Sequence, residues 1–170
     1  MRMYDILEHK AAGRCLTEAE IAWFMDGLCG GSIPDYQTSA LLMAIFLNGM
    51  SEDELACWTD AMARSGDTVD LSAIAGVKVD KHSTGGIGDK TTVILGPILA
   101  ACGGKLAKMS GRGLGFSGGT IDKLESLPGF RTGLDEAEFV RLANTVGVAV
   151  TGQTARVALA DKKLYALRDV

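Results

Sequence analysis

Two glycine-rich stretches hold the residues of this chain best suited to chemistry. The first is Lys81-His82-Ser83-Thr84-Gly85-Gly86-Ile87-Gly88-Asp89; the second runs from Ser110 to Lys123 as Ser-Gly-Arg-Gly-Leu-Gly-Phe-Ser-Gly-Gly-Thr-Ile-Asp-Lys. Each combines bare backbone amides, hydroxyls and a cation, which is the chemistry of a site for phosphate or another anion. Glycine lets the backbone approach a ligand closely, and a helix that follows such a loop adds its positive end. In and just after the first stretch Lys81, Ser83, Thr84, Thr91 and Thr92 surround Gly85, Gly86 and Gly88 in sequence. Neither stretch is a Walker loop, because no G-x-x-x-x-G-K-[ST] string occurs, and Gly111, Gly113 and Gly115 do not fit a dinucleotide fingerprint. His82 stands between a lysine and two hydroxyls. A nearby anion favours its protonated form, which can donate to a leaving group or a substrate carbonyl; otherwise it is a structural residue. Arg112 either reaches a ligand or pairs with an acid such as Asp122 or Glu125, and pairing is the preferred reading.

These loops need elements to hold them. The first 65 residues read as helices. Thr17-Glu18-Ala19-Glu20 and Ser51-Glu52-Asp53-Glu54 are capping boxes, each followed by apolar residues at helical spacing. Gly30-Gly31 stops the first of these helices, Pro34 starts the next, and Gly66 closes the series. After Gly66 the character changes. Val77-Lys78-Val79 and Lys105 to Met109 read as strands entering the two glycine-rich loops, with helices at Lys90 to Ala101 and Ile121 to Ser126 behind them. Asp135 to Glu138 caps a helix through Val146, Gly147 ends it, and Val148-Ala149-Val150 is a third strand. The segment from Asp161 to Val170 has helical spacing. The expected fold is α/β: a helical domain over 1–66, completed by about 155–170, and an α/β domain over 67–154 with a largely parallel sheet. In such sheets ligands collect at the carboxyl ends of the strands, where both loops begin.

Bulk properties narrow the classes. The chain has 170 residues, 47% apolar and 22% charged, with a net charge of −4. That balance disfavours a nucleic-acid backbone binder. The longest apolar run, Val93 to Cys102, is too short to span a bilayer, and the start has no signal-peptide core, so no membrane partner and a cytoplasmic location are expected. Cys15, Cys29, Cys57 and Cys102 lie far apart and the two histidines, His9 and His82, are isolated. Reduced, mostly buried thiols and no metal centre are expected.

At the two loops the sequence resembles the pyrimidine nucleoside phosphorylase family, which includes thymidine phosphorylase. Val79 to Asp89 matches one family loop; Ser110 to Gly115 with Gly118 to Ser126 matches its signature; Gly152-Gln153-Thr154 and Ala160 to Val170 match further on. The resemblance implies attack of phosphate on C1′ of a pyrimidine nucleoside, releasing the base and an α-pentose 1-phosphate without a covalent enzyme intermediate. It implies phosphate as co-substrate held by Lys81, Ser83, Thr92 and Thr120, and no cofactor. Catalysis falls to His82, at the pyrimidine O2, and to Arg168, near the O4 edge. Tyr165 and Arg168 contact the base, and Leu114 lines its apolar side. A monovalent cation near Gly85, Gly86 and Gly88, and a homodimer formed through the helical domain, follow from the same likeness. Lys108 and Leu164-Tyr165-Ala166-Leu167 look closer to the branch that takes both uridine and thymidine.

Two departures stand out. Phe116-Ser117 replaces the usual His-Thr before Gly-Gly-Thr, and family members continue well past Val170. The chain therefore reads as an amino-terminal fragment, inactive on its own. The competing expectations are a phosphoribosyltransferase of the same general fold, for which no acidic pair suited to magnesium is seen, and a non-catalytic phosphate-binding or dimerisation module.

Overall fold

The computed structural model describes residues 1–82, 90–112, 118–152 and 156–168. Among them the elements run α1 (Met3–Ala11), α2 (Glu18–Gly30), α3 (Asp35–Asn48), α4 (Glu52–Ala63), β1 (Lys78–Val79), α5 (Lys90–Ala101), β2 (Lys105–Ser110), α6 (Thr120–Glu125), α7 (Glu136–Thr145), β3 (Val148–Gly152) and α8 (Leu159–Arg168). The helical bundle followed by an α/β layer is the expected fold class. The chain divides into two units, Met1–Thr68 with Ala155–Val170, and Val69–Thr154.

The helical unit is organised by its caps. Thr17 Oγ1 accepts from the Glu20 amide, and the Glu20 carboxylate accepts from the Thr17 amide at 2.8 Å, so α2 starts with two of its orphan donors satisfied. Ser51 and Glu54 repeat the device at α4, with the Ser51 amide donating to Glu54 at 2.8 Å. Gly31 ends α2 in the left-handed region. Behind these ends Ile6, Ile21, Phe24, Met25, Leu28, Leu41 and Trp58 form one buried cluster, joined by Ala160 and Leu164 of α8. The Phe24 and Trp58 rings stack with centroids 5.3 Å apart.

Glu54 does more than cap. Its Oε1 accepts from Lys10 Nζ at 2.6 Å and from the Leu16 amide at 2.7 Å, and both Lys10 and Glu54 are buried. Burial alone pushes the Glu54 carboxyl up; the Lys10, Leu16 and Ser51 hydrogen bonds outweigh that and bring it down to about 2. One carboxylate thus ties α1, the α1–α2 connection and the start of α4. Lys163 of α8 supplies a further tie, donating to the Leu28 and Cys29 carbonyls at 2.8 and 3.0 Å in the last turn of α2, where Leu28 O also accepts from the Gly31 amide at 3.3 Å.

Gly66 does not end a helix. Helix α4 stops at Ala63, and Gly66 is needed for close approach: a Cβ there would lie 2.2 Å from the Arg156 carbonyl oxygen. That contact belongs to a bridge in which the Asp67 amide donates to Arg156 O at 2.8 Å and the Arg156 guanidinium meets Asp67.

In the α/β unit the sheet order is β1-β2-β3, all parallel. Leu106 pairs with both Val79 and Val148, and the β2–β3 ladder runs on to Ser110 and Gly152. Strand β3 runs two residues past the expected Val148 to Val150, pairing Thr151 and Gly152 with Met109 and Ser110, and the Gly152 amide donates to Thr132 O at 2.8 Å. Ile74, Phe139, Ala143 and Ala149 make one small cluster, and Ile121, Leu124 and Val150 make another. Helix α5 approaches the sheet through Gly96, where a Cβ would sit 3.4 Å from both Leu106 and Val148. Its Val93, Ile94, Leu95 and Ile98 remain exposed. Among the described residues no helix is long and apolar enough to cross a membrane.

Candidate functional site

A parallel sheet delivers the ends of neighbouring strands to one edge, and the candidate residues of the α/β unit follow from that. Asp80, Lys81 and His82 come directly after β1, and Gly111 and Arg112 directly after β2. Strand β2 alternates in burial, with Leu106, Lys108 and Ser110 inward. The inward Lys108, 5% exposed, is the pivot. Its Nζ donates to the Lys81 carbonyl at 2.7 Å and lies 3.5 Å from Asp80 Oδ1, while that same carboxylate oxygen accepts from the Lys81 amide at 2.8 Å. The peptide groups on both sides of Lys81 are therefore held. Lys81 Nζ donates to Thr91 Oγ1 at 2.9 Å, linking the end of β1 to the first turn of α5. The neighbouring Thr92 is buried in that same turn.

The second loop is tied at its base. Arg112 donates to Glu125 at 2.7 and 3.1 Å and to Asp122 at 2.9 Å. Asp122 in turn accepts from the Gly119 amide at 2.9 Å, and Glu125 also accepts from Thr132 Oγ1. The Glu125 and Asp122 hydrogen bonds push the guanidinium pKa still higher, and Arg112, then Thr132, holds the Glu125 carboxyl below the usual range. Arg112 is engaged with acids, as the preferred reading has it. The Ile121 amide donates to Gly111 O at 3.4 Å, bringing α6 back to the end of β2, and Thr120 is buried at the start of that helix.

Of the residues singled out from sequence, the α/β unit holds Lys81, Thr92 and Thr120 with His82, which is exposed. Tyr165 is half-buried on α8 of the helical unit, where the Arg168 backbone also lies. Ser83, Leu114, Gly85, Gly86 and Gly88 lie outside the described residues. Sequence reasoning missed Asp80 and Lys108 as the groups that fix Lys81. The signal is a lysine on the inward side of an alternating strand, a position that otherwise takes an apolar residue. Among the described residues there is no group of three or more His, Cys, Asp or Glu able to hold a metal ion.

Comparison with known proteins sets this geometry in a class. The helical bundle domain of the glycosyl transferase family matches residues 4–66, and the a/b domain of the same family matches residues 75–170. The chain belongs to this glycosyl transferase family. Within it the chain is 59% identical over 170 residues to the pyrimidine-nucleoside phosphorylases of Geobacillus stearothermophilus and Staphylococcus aureus (strain MSSA476). It is 57% identical to that of Staphylococcus haemolyticus (strain JCSC1435). The resemblance carried by the two loops thus extends over the whole chain. All of this chain is covered and 39% of each relative, so the chain spans well under half the length of the curated relatives it matches. Among solved structures it is similar to anthranilate phosphoribosyltransferase from Thermus thermophilus, with a TM-score of 0.68 at 22% identity over 95% of this chain and 49% of that one. That likeness speaks to the fold alone.

Proposed function

We propose that the chain is the amino-terminal part of an enzyme for phosphorolysis of pyrimidine nucleosides. The observation that carries the reading is the held Lys81, its carbonyl and amide fixed by Lys108 and Asp80 and its ammonium beside the hydroxyl-bearing first turn of α5. A cation fixed before the ligand arrives loses little freedom on binding an anion. Lys81, Ser83, Thr92 and Thr120 bind phosphate. One phosphate oxygen forms a bond to C1′ as the C1′–N1 bond breaks, and the electron pair passes to the base. His82 donates to O2, where charge develops; the base leaves and takes up a proton, and α-pentose 1-phosphate remains. Leu114, Tyr165 and Arg168 meet the base. A monovalent cation would sit among Gly85, Gly86 and Gly88, and no step runs through it.

The chain covers 39% of its relatives' length, so turnover is proposed for the whole enzyme and phosphate binding for this chain. A second copy is the proposed partner of the helical unit, since Tyr36, Met43 and Leu47 share one face of α3 and are exposed. A cytoplasmic setting fits the four free thiols, which are not mostly buried as expected: Cys15 and Cys102 are exposed and Cys29 and Cys57 half-buried.

The test is release of uracil from uridine and thymine from thymidine, with and without phosphate. Lys81→Ala in the complete enzyme should raise the phosphate KM about tenfold or more, since a charge-assisted contact contributes about 1.5–3 kcal/mol. Base release that ignores phosphate sinks the reading, and an unchanged phosphate KM removes Lys81 from it.

A further inference from the structure

Lys123 carries the buried side-chain nitrogen that is left without a hydrogen-bond partner among the described residues. The residue as a whole is only partly buried, so the stem reaches the surface while the ammonium is turned inward. This reverses the usual habit of lysine, which buries the stem and keeps the charge in water. An ammonium held away from water with no counter-charge is strongly unfavourable. An anion brought beside it would stabilise Lys123 in its charged form.

The helix fixes where that anion would be. Lys123 is three residues after Thr120, and residues at that spacing share a face with Cβ atoms about 5–6 Å apart. Side chains on a helix lean toward its amino-terminal end, so the Lys123 stem leans toward Thr120. The acids of the helix are engaged elsewhere: Asp122 and Glu125 are taken by Arg112, by the Gly119 amide and by Thr132. Counting from Thr120 at 100° per residue, Asp122 is turned about 100° and Glu125 about 160° away from Lys123 around α6, against about 60° for Thr120. Thr120 itself is a proposed phosphate ligand.

We propose that Lys123 supplies a second ammonium to the phosphate site, approaching the anion from α6 while Lys81 approaches it from the end of β1. The inference rests on the phosphate reading given above. Two separated cations compensate the dianionic form of phosphate better than one, and the cost of keeping the Lys123 charge buried is offset only when the anion is present.

That last point gives a test a merely structural lysine would not pass. Lys123→Met keeps the stem and removes the charge. In the 170-residue chain without phosphate, Lys123→Met should melt at the same temperature as the parent or higher. Calorimetric titration with inorganic phosphate should show binding weakened about tenfold or more. Lys81→Ala is run alongside. If Lys81→Ala loses phosphate and Lys123→Met binds it like the parent, the phosphate reading stands and the role of Lys123 falls. If the parent itself does not bind phosphate, both fall. If Lys123→Met unfolds, the charge has a structural partner and the proposal falls as well. A second readout needs no variant: in the parent with carbon-13-labelled lysine, the Lys123 Cε resonance should move on adding phosphate and stay still on adding an equal ionic strength of chloride. A resonance that does not move for phosphate overturns the proposal.

Discussion

The two units solve the same problem, holding helices against a core, with different means. In the helical unit the ends are closed locally by two capping boxes, and one apolar cluster runs through α1, α2, α3, α4 and α8. In the α/β unit the described core is two small clusters, and α5, the most apolar helix, leaves Val93, Ile94, Leu95 and Ile98 exposed. Yet it is the less enclosed unit that holds the candidate phosphate residues. The difference teaches that, among the described residues, the candidate site draws on more than apolar packing. It is held by point contacts of charged groups, Lys108 with the Lys81 carbonyl at one loop and Arg112 with the Asp122 and Glu125 carboxylates of α6 at the other.

The largest effect is expected where the helical unit depends on one group. Glu54→Ala leaves the Lys10 ammonium buried without its carboxylate and should cost about 3–5 kcal/mol. Both tryptophans, Trp23 and Trp58, lie in the helical unit, so their fluorescence in a urea titration reads this unit alone. Acid should do the same by a graded route. The folded Glu54 carboxyl sits at about 2, below its ordinary 4.5, so its stabilisation is complete above about pH 4.5 and is lost as pH falls toward 2. Glu54→Gln should flatten that part of the curve of Tm against pH. If the acid limb is unchanged, other carboxylates dominate it.

Next comes the point contact in the other unit. Lys108→Met should leave the tryptophan transition alone and weaken inorganic phosphate binding about tenfold or more, because a hydrogen bond from a charged group contributes about 1.5–3 kcal/mol. If Lys108→Met shifts the helical transition instead, the units are not separable in the way described. Thr17→Ala removes a cap worth about 1 kcal/mol and should lower the unfolding free energy read from the tryptophan signal by that much, seen as a lower urea midpoint at unchanged slope. Arg112→Ala is expected to have the smallest effect, under about 1 kcal/mol, since the side chain is mostly exposed and its ion pairs are screened. A larger loss, read from far-ultraviolet circular dichroism, would mean that the Arg112 network carries more of the α/β unit than its exposure suggests.

What could be read from the sequence follows the same division. Caps are contained within four residues, so Thr17 to Glu20 and Ser51 to Glu54 announce their helices, and α5 ends at Ala101 as the pattern of residues suggests. The ion pair of Lys10 with Glu54 spans 44 residues and leaves no local trace, because each partner looks like an ordinary surface charge until the helices pack. Gly66 looks like a helix stop and is instead a point where two stretches of main chain nearly touch, a contact with Arg156 that only the fold brings about. In the site, the glycines and hydroxyls identify the loops, since the chemistry is carried by residue type. The clamp on Lys81 is not legible there, because Lys108 lies on another strand and its role depends on the parallel register of β1 and β2.

The Lys163 tie has a consequence for how the protein is made. Helix α8 caps α2 from across an intervening unit of 86 residues, Val69–Thr154. At about 5–20 residues per second of synthesis, roughly 5–19 s separate the emergence of the end of α4 at Ala63 from that of the start of α8 at Leu159. During that interval the nascent helical unit lacks Ala160 and Leu164 from its interior and Lys163 from the end of α2. The α/β segment therefore leaves the ribosome while its predecessor is still open, and the chain has a window in which a chaperone, or a second nascent copy, can occupy the place that α8 will take.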